Sequence, residues 1–275
     1  VTEVARDRYG RPLIIPRDGG KPVAYARASS FGDVLEDKTN LEKWKLRKVA
    51  KGVANNPHIS LAVSSTPEEN KNDLNKFVEM ALDAAGGNRA SMTGTSLHSL
   101  TEVIDRGQEP EFVPTAYQAD LAAYREATKD MQMVHIERFM VCDELGIAGT
   151  PDRWFLEFHR DEVGEEVEPL LSGARGRTLR LGDLKTSTSD LKYQGSKFAT
   201  QLAIYAHSEF YNPSTGERES LPDDVDRNVG VIFHMPAGSG TCDLPEVDLR
   251  AGWEGVQVAV DVRKWRKRKN FFIQV

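Results

Sequence analysis

Between residues 130 and 145 the apolar residues of this chain change period, and that change limits the possible folds more than any other feature. Upstream they recur at helical spacing. Phe31, Val34, Leu35, Leu41, Trp44, Leu46, Val49 and Val53 predict a helix from Ser29 or Ser30 to about Asn55, broken near Thr39-Asn40. Leu74, Phe77, Val78, Ala81 and Leu82 predict a second from Pro67 to Ala85, capped by Thr66 and stopped by Gly86-Gly87-Asn88. A third segment carries His98 and Glu102, four apart and therefore on one helix face, and a further helix spans Pro114 to Thr128. From Val134 to Val141 the pattern alternates or runs apolar, as it does over 145–148, 153–158 and 179–184, which predicts strands.

Beyond these strands, Phe198, Leu202, Tyr205 and Ala206 form one stripe of a helix predicted from Leu191 to Phe210 and ended by Asn212-Pro213. Strands at 229–234 and about 241–249 flank Pro236-Ala237-Gly238-Ser239-Gly240. No helix start and no Lys-Ser/Thr follows that glycine-rich stretch, so it reads as a hairpin turn rather than a phosphate loop. A last helix covers about Gly252 to Lys269. This order predicts an α/β (α+β) fold with a central mixed β-sheet flanked by helices. The division it suggests is an extended arm over 1–28, a helical region over 29–93, a core over 94–250 and a basic helix and tail over 251–275. Residues 160–177, acidic and glycine-rich, are expected to form a hairpin loop.

With 275 residues and 39% hydrophobic content, the chain can bury one main core with appendages. No apolar run approaches the length of a membrane span and the first residues lack a signal-peptide core, so a soluble, intracellular protein without a membrane partner is expected. Two distant cysteines, Cys142 and Cys242, read as buried free thiols and exclude a four-thiolate cluster. The net charge of −6 hides an asymmetry. Residues 1–60 carry twelve Lys and Arg against seven Asp and Glu, and residues 263–269 pack six bases around Trp265. Basic ends suit a phosphate backbone, with ordinary solvated surface as the competing reading.

The residues best suited to chemistry lie in Gly149-Thr150-Pro151-Asp152, in Gly182-Asp183-Leu184-Lys185, and at Gln201 and Tyr205. Two acids and a lysine on neighbouring strands can assemble a divalent-metal site that cuts phosphodiesters, because hard oxygen ligands suit Mg²⁺ or Mn²⁺. Each candidate has a plainer competitor. His98 can be a packing histidine, Glu137 can pair with Arg138 or Arg153 and leave Glu144 as the acid, and Tyr205 can be core. His135, His159 and His234 lack partners at metal-site spacing and read as core or surface. Trp154 and Trp265 can stack on bases, although Trp154 better fits a buried strand position.

His98 on its helix, Glu137 on a strand, Pro151-Asp152, Asp183-x-Lys185 and Gln201-x-x-x-Tyr205 occur in an order that resembles the PD-(D/E)xK nuclease superfamily. The likeness is to its RecB-type branch, with lambda exonuclease-like and CRISPR-associated exonucleases, and covers about residues 94–250. Actinobacteriophage exonuclease-like proteins are the nearest resemblance. It implies a restriction-endonuclease-like core in which Asp152, Asp183, the Leu184 carbonyl and His98 hold Mg²⁺ or Mn²⁺. Lys185 would orient or help deprotonate the attacking water, Gln201 and Tyr205 would position the scissile strand, and Glu137 would support a ligand or a second metal. No iron–sulfur cluster is expected, since four cysteines are lacking, and no helicase Walker motif is present. The implied function is a metal-dependent DNA exonuclease of phage recombination, replication or genome processing, in the host cytoplasm or associated with the virion. DNA, a recombinase, other phage proteins and further copies of the chain are the implied partners. The alternatives are a virion or packaging component that keeps a nuclease fold for DNA or protein binding, and a restriction-type endonuclease.

Overall fold

A computed structural model describes residues 3–157, 178–188 and 191–272. It divides into two compact units, Val1–Glu36 with Ser99–Val275, and Asp37–His98. The elements run β1 (Leu13–Ile14), β2 (Val23–Ala24), β3 (Ala26–Arg27), α1 (Ala28–Phe31), α2 (Thr39–Ala54), α3 (Pro57–Ser65), α4 (Lys71–Ala84) and α5 (Arg89–Asp105). They continue with α6 (Gln118–Thr128), β4 (Met131–Ile136), β5 (Met140–Cys142), β6 (Ile147–Gly149), β7 (Arg153–Glu157) and β8 (Leu179–Lys185). The last are α7 (Gly195–Ala206), β9 (Glu209–Tyr211), β10 (Arg218–Glu219), β11 (Val229–His234), β12 (Glu246–Asp248) and α8 (Leu249–Lys267). The mixed α/β class expected from the sequence is the observed one. No helix among the described residues is long and apolar enough to cross a membrane.

The smaller unit is helical, and its boundaries differ from the periodic reading. Asn56-Pro57 starts a separate helix, α3, because proline suits the first helical position. Thr66 ends that helix, its hydroxyl bonding the Ala62 carbonyl at 2.7 Å, and so does not cap α4. The cap of α4 is Asn70, which accepts from the Asp73 amide. α4 stops where predicted, with Gly86 at φ +71° just beyond its end.

The larger unit carries two five-stranded sheets, ordered β10-β9-β5-β6-β3 and β12-β11-β8-β7-β4. In the second sheet β8 and β11 are parallel and the other pairs antiparallel. Its alternation sends Trp154, Leu179, Leu181 and Ile232 into a core with Phe198, Leu202, Ala203 and Tyr205 of α7. On the other face Phe155 and Phe233 meet edge to face at 5.5 Å, and Tyr124 of α6 lies 6.1 Å from Phe233. Helices therefore cover both faces. α8 packs along α7 at small residues, where a Cβ on Gly252 would fall 2.2 Å from the Ala199 carbonyl oxygen.

Three further expectations are corrected. Residues 1–28 are not an extended arm: β1 pairs with β2, β3 adds to the first sheet, and Val4 and Ile14 are buried against Phe139, Val141 and Tyr211. The helix predicted to Phe210 ends at Ala206, because Glu209–Tyr211 pairs with β5, so sheet pairing overrides the local helical pattern. The strand expected over 134–141 is two strands in different sheets. Cys142 is buried on β5, whereas Cys242 is only partly buried; both are free thiols. The loop expected over 160–177 and His159 lie outside the described residues.

In the first sheet Asp143 accepts from Arg218 (3.0 Å), Arg17 (2.8 Å) and the Tyr25 hydroxyl (2.8 Å). Burial works against the Asp143 charge, but the bonds from Arg218 and Tyr25 outweigh it and hold the carboxyl below its usual value. A depressed carboxyl stabilises the fold above the unfolded-state value, and that stability is lost as pH falls through the native one. Asp143→Asn should therefore lower the unfolding midpoint at neutral pH, with the gap to wild type closing below pH 3.8. Gly252→Ala should destabilise at every pH by about 1–3 kcal/mol, since backbone must move to admit the methyl. Urea unfolding followed by tryptophan emission checks both.

Candidate active site

The candidate residues gather where the chain changes sheets. β4 belongs to one sheet and β5 to the other, and the chain returns between β6 and β7. Glu137 lies in the first crossing and Thr150-Pro151-Asp152 in the second. Glu137 has φ +50°, a left-handed backbone that is uncommon for a residue with a side chain. Its amide donates to the Asp152 carbonyl at 3.0 Å, which ties the two crossings together.

Register then aligns the acids. Ile136 faces Arg153 and Arg153 faces Gly182 in antiparallel pairs, so Glu137, Asp152 and Asp183 continue as one row across three chain segments. Asp183 is paired in turn with Ile232 of β11. Lys185 lies two residues beyond Asp183 on the same face of β8, and its ammonium forms an ion pair with one Asp183 oxygen. From α7, Gln201 donates to the other Asp183 oxygen at 3.3 Å. The Asp152 carboxylate accepts from the Leu184 amide at 2.6 Å. The Lys185 carbonyl accepts from Met235, so the adjacent Leu184 carbonyl, on the other side of its strand, is directed toward Asp152.

Charge is concentrated here and screened poorly. Burial first, then the negative charges of Asp152, Glu102 and Asp183, push the Glu137 carboxyl up to about 8. Burial would neutralise Lys185, but Asp183 outweighs it and holds the ammonium above the usual lysine value. As they stand, no three His, Cys, Asp or Glu side chains among the described residues are arranged to hold a metal ion. Asp152 is engaged by the Leu184 amide and Asp183 by Lys185 and Gln201. The donors nevertheless suit Mg²⁺ or Mn²⁺: two carboxylates in one row, a strand carbonyl directed toward them, and a third carboxyl raised first by burial and then by nearby negative charge. A hard cation would neutralise that crowded negative charge.

The remaining candidates separate. Tyr205 is buried, and its hydroxyl donates to the Thr150 carbonyl at 3.2 Å, so it props the turn that carries Asp152. His98 is the last residue of the smaller unit, and the geometry above comes from the larger unit alone. Glu144 is exposed in the turn at the far end of the β5–β6 hairpin, which leaves Glu137 as the acid of the row. Trp154 is fully buried. His135 stacks edge-on to Phe210 at 4.6 Å, and the His234 ring bonds the Ser187 carbonyl at 3.1 Å. A surface pocket of about 490 Å³ lies elsewhere, lined by Arg138, Phe210, Asn212 and Arg218 among others, and none of the row lines it.

Sequence reading missed the support beneath Asp152. Arg153 is buried and forms an ion pair with Asp105 at 3.1 Å; Asp105 accepts from the Tyr124 hydroxyl at 2.5 Å. Burial opposes the Arg153 charge, but Tyr124, Asp105, Asp152 and Asp183 outweigh it and keep the guanidinium protonated. An arginine opening the apolar run Trp154-Phe155-Leu156 was the available signal. No protein-family model matches this chain, and no curated protein matches it.

A Cβ on Gly149 would lie 2.6 Å from the Tyr205 hydroxyl oxygen. Gly149→Ala should therefore destabilise, and Tyr205→Phe alone should cost about 0.5–1.5 kcal/mol through the lost bond to Thr150. Combined, the two should cost less than their sum, because the phenylalanine relieves the clash. Strict additivity in a double-mutant unfolding cycle would contradict the contact.

Proposed function

We propose that this protein is a metal-dependent deoxyribonuclease, acting as a DNA exonuclease. The observation that carries the reading is the row of Glu137, Asp152 and Asp183 set by strand register, with Lys185 on the same face as Asp183 and Gln201 above it. Carboxylates and a lysine in this relation suit phosphodiester hydrolysis better than acyl transfer, for which a nucleophile and base in contact would be needed.

Asp152, Asp183 and the Leu184 carbonyl are the groups that would hold Mg²⁺ or Mn²⁺. When bound, the ion supplies charge neutralisation at the scissile phosphate. The chain does the rest. Lys185, kept protonated by Asp183, donates hydrogen bonds to the attacking water or a phosphate oxygen and stabilises the charge that builds there. Gln201 fixes the Asp183 carboxylate, while Tyr205 and the Arg153–Asp105 pair fix the turn and strand on either side of Asp152. His98 is assigned as a further ligand only on the order of motifs. The phage setting rests on the same likeness of motifs.

End-labelled linear, single-stranded and closed-circular DNA incubated with Mg²⁺, Mn²⁺ or EDTA tests the reading. Linear DNA should be degraded only with metal. Asp183→Ala should reduce cleavage to the EDTA level, and Lys185→Ala should lower the rate by about 10²–10³-fold, the loss typical of one preorganised donor. Absence of cleavage with every metal would shift the assignment to a DNA-binding or packaging role, and discrete fragments from the circle would make it an endonuclease.

A further inference from the structure

The end of α8 and the residues after it form the most distinctive surface that the site leaves unused. Residues 264–272 are all exposed. They include Lys264, Arg266, Lys267, Arg268 and Lys269 without an acid among them, and none of these five has an ion-pair partner among the described residues. Basic surface alone is common. What sets this segment apart is the aromatic content: Trp265 is 59%, Phe271 52% and Phe272 94% exposed. Trp265 and Phe271 lie 5.4 Å apart at 55°, and the Arg268 guanidinium sits 5.6 Å from the Phe271 ring. These three rings bury little apolar surface within the fold, whereas rings interleaved with cations match a strand of alternating bases and phosphates.

The packing of α8 fixes where this surface emerges. Trp253, near the start of α8, stacks on His207 just past the end of α7, with centroids 3.9 Å apart and planes at 12°. Further along, Gly255 abuts Thr200, and Arg263 lies 4.6 Å from the Phe31 ring. α8 thus runs antiparallel to α7 and leaves the fold beyond the N-terminal half of α7. That is the half where Lys185 lies 4.9 Å from Phe198. The basic aromatic segment and the C-terminal end of β8 are at the same end of the unit.

We infer that Trp265, Phe271 and Phe272, with the bases between them, form a stacking platform for single-stranded DNA that feeds the strand toward Lys185. This rests on the nuclease reading and deepens it by naming an unpaired strand as the polymer held. Duplex DNA hides its base faces and would engage only the charges, an acidic protein would not need planar rings, and an anionic lipid surface, which also takes Trp and Phe beside Lys and Arg, is set apart by the vesicle arm of the test.

The test is equilibrium binding in EDTA, so that no cleavage is involved, using fluorescein-labelled oligo-dT, an abasic oligomer of equal length, duplex DNA and phosphatidylserine vesicles. Oligo-dT should bind tighter than the abasic strand and quench tryptophan emission, and Trp265→Ala should remove that quenching and weaken binding roughly 5- to 100-fold. Salt dependence for five phosphate contacts should have a slope of about −3.5 in log K against log salt, and Arg266→Gln with Lys267→Gln should make it shallower by about 1.4. Equal affinity for the abasic strand, binding unchanged by Trp265→Ala, or a Trp265-dependent affinity for vesicles alone would each overturn the platform. Metal-dependent cleavage with no role for Trp265 would leave the nuclease standing and remove the platform. Stacking by Trp265 with no cleavage under any metal would do the reverse.

Discussion

The amide of Glu137 and the carbonyl of Asp152, 3.0 Å apart, meet where each of two sheets hands the chain to the other. This bond continues the β4–β7 ladder one step past its last regular pair, at the cost of a left-handed backbone at Glu137. The gain is alignment. Because the antiparallel register carries straight on, the acid of the first crossing, the acid of the second and the acid of β8 fall in line, and no side-chain contact has to organise them. The crossings also end β4 and begin β7 at that point, which leaves the row beyond the hydrogen-bonded body of those two strands.

Beneath this row the fold holds a deeply buried cation. Arg153 follows Asp152, so its strand neighbour points to the opposite face, where Asp105, Tyr124 and Phe233 surround the guanidinium. Breaking such a pair from one side leaves an uncompensated charge, commonly about 3–5 kcal/mol. The site's acids and this cation are thus carried on adjacent residues but separated by the sheet. Arg153 contributes to the field felt by Glu137 without competing for the space above Asp152.

The fold class and most element positions were legible because periodicity follows burial, and both faces of the β8 sheet are covered. The strand-to-helix order of Asp152, Asp183, Lys185 and Gln201 was legible too, since each sits at or near the end of a well-patterned element. What sequence could not carry was long-range pairing. Glu209–Tyr211 reads as the tail of a helix until Met140 pairs with Phe210, and the split of 134–141 falls at Glu137, whose left-handed backbone leaves no mark on the apolar pattern. Tyr205 showed its register with Gln201 but not its inward hydroxyl, which depends on a glycine more than fifty residues away. Asp105 gave no sign, because an acid near a helix end is ordinary until a distant arginine is buried against it.

The larger unit is discontinuous, and this sets an order of events during synthesis. Ala28 and Phe31 belong to the same core as Phe198, Tyr205, Val256 and Ala259, so the cover over α1 is incomplete until α7 and α8 have left the ribosome. The helical unit between Asp37 and His98 is closed by local contacts and can form early, while the first strands wait. The two edges of the carboxylate row are likewise completed late, because β8 and α7 follow the crossings they meet. A growing chain therefore holds Asp183 apart from Glu137 and Asp152 until β8 has been made, and leaves the row without Gln201 until α7 follows.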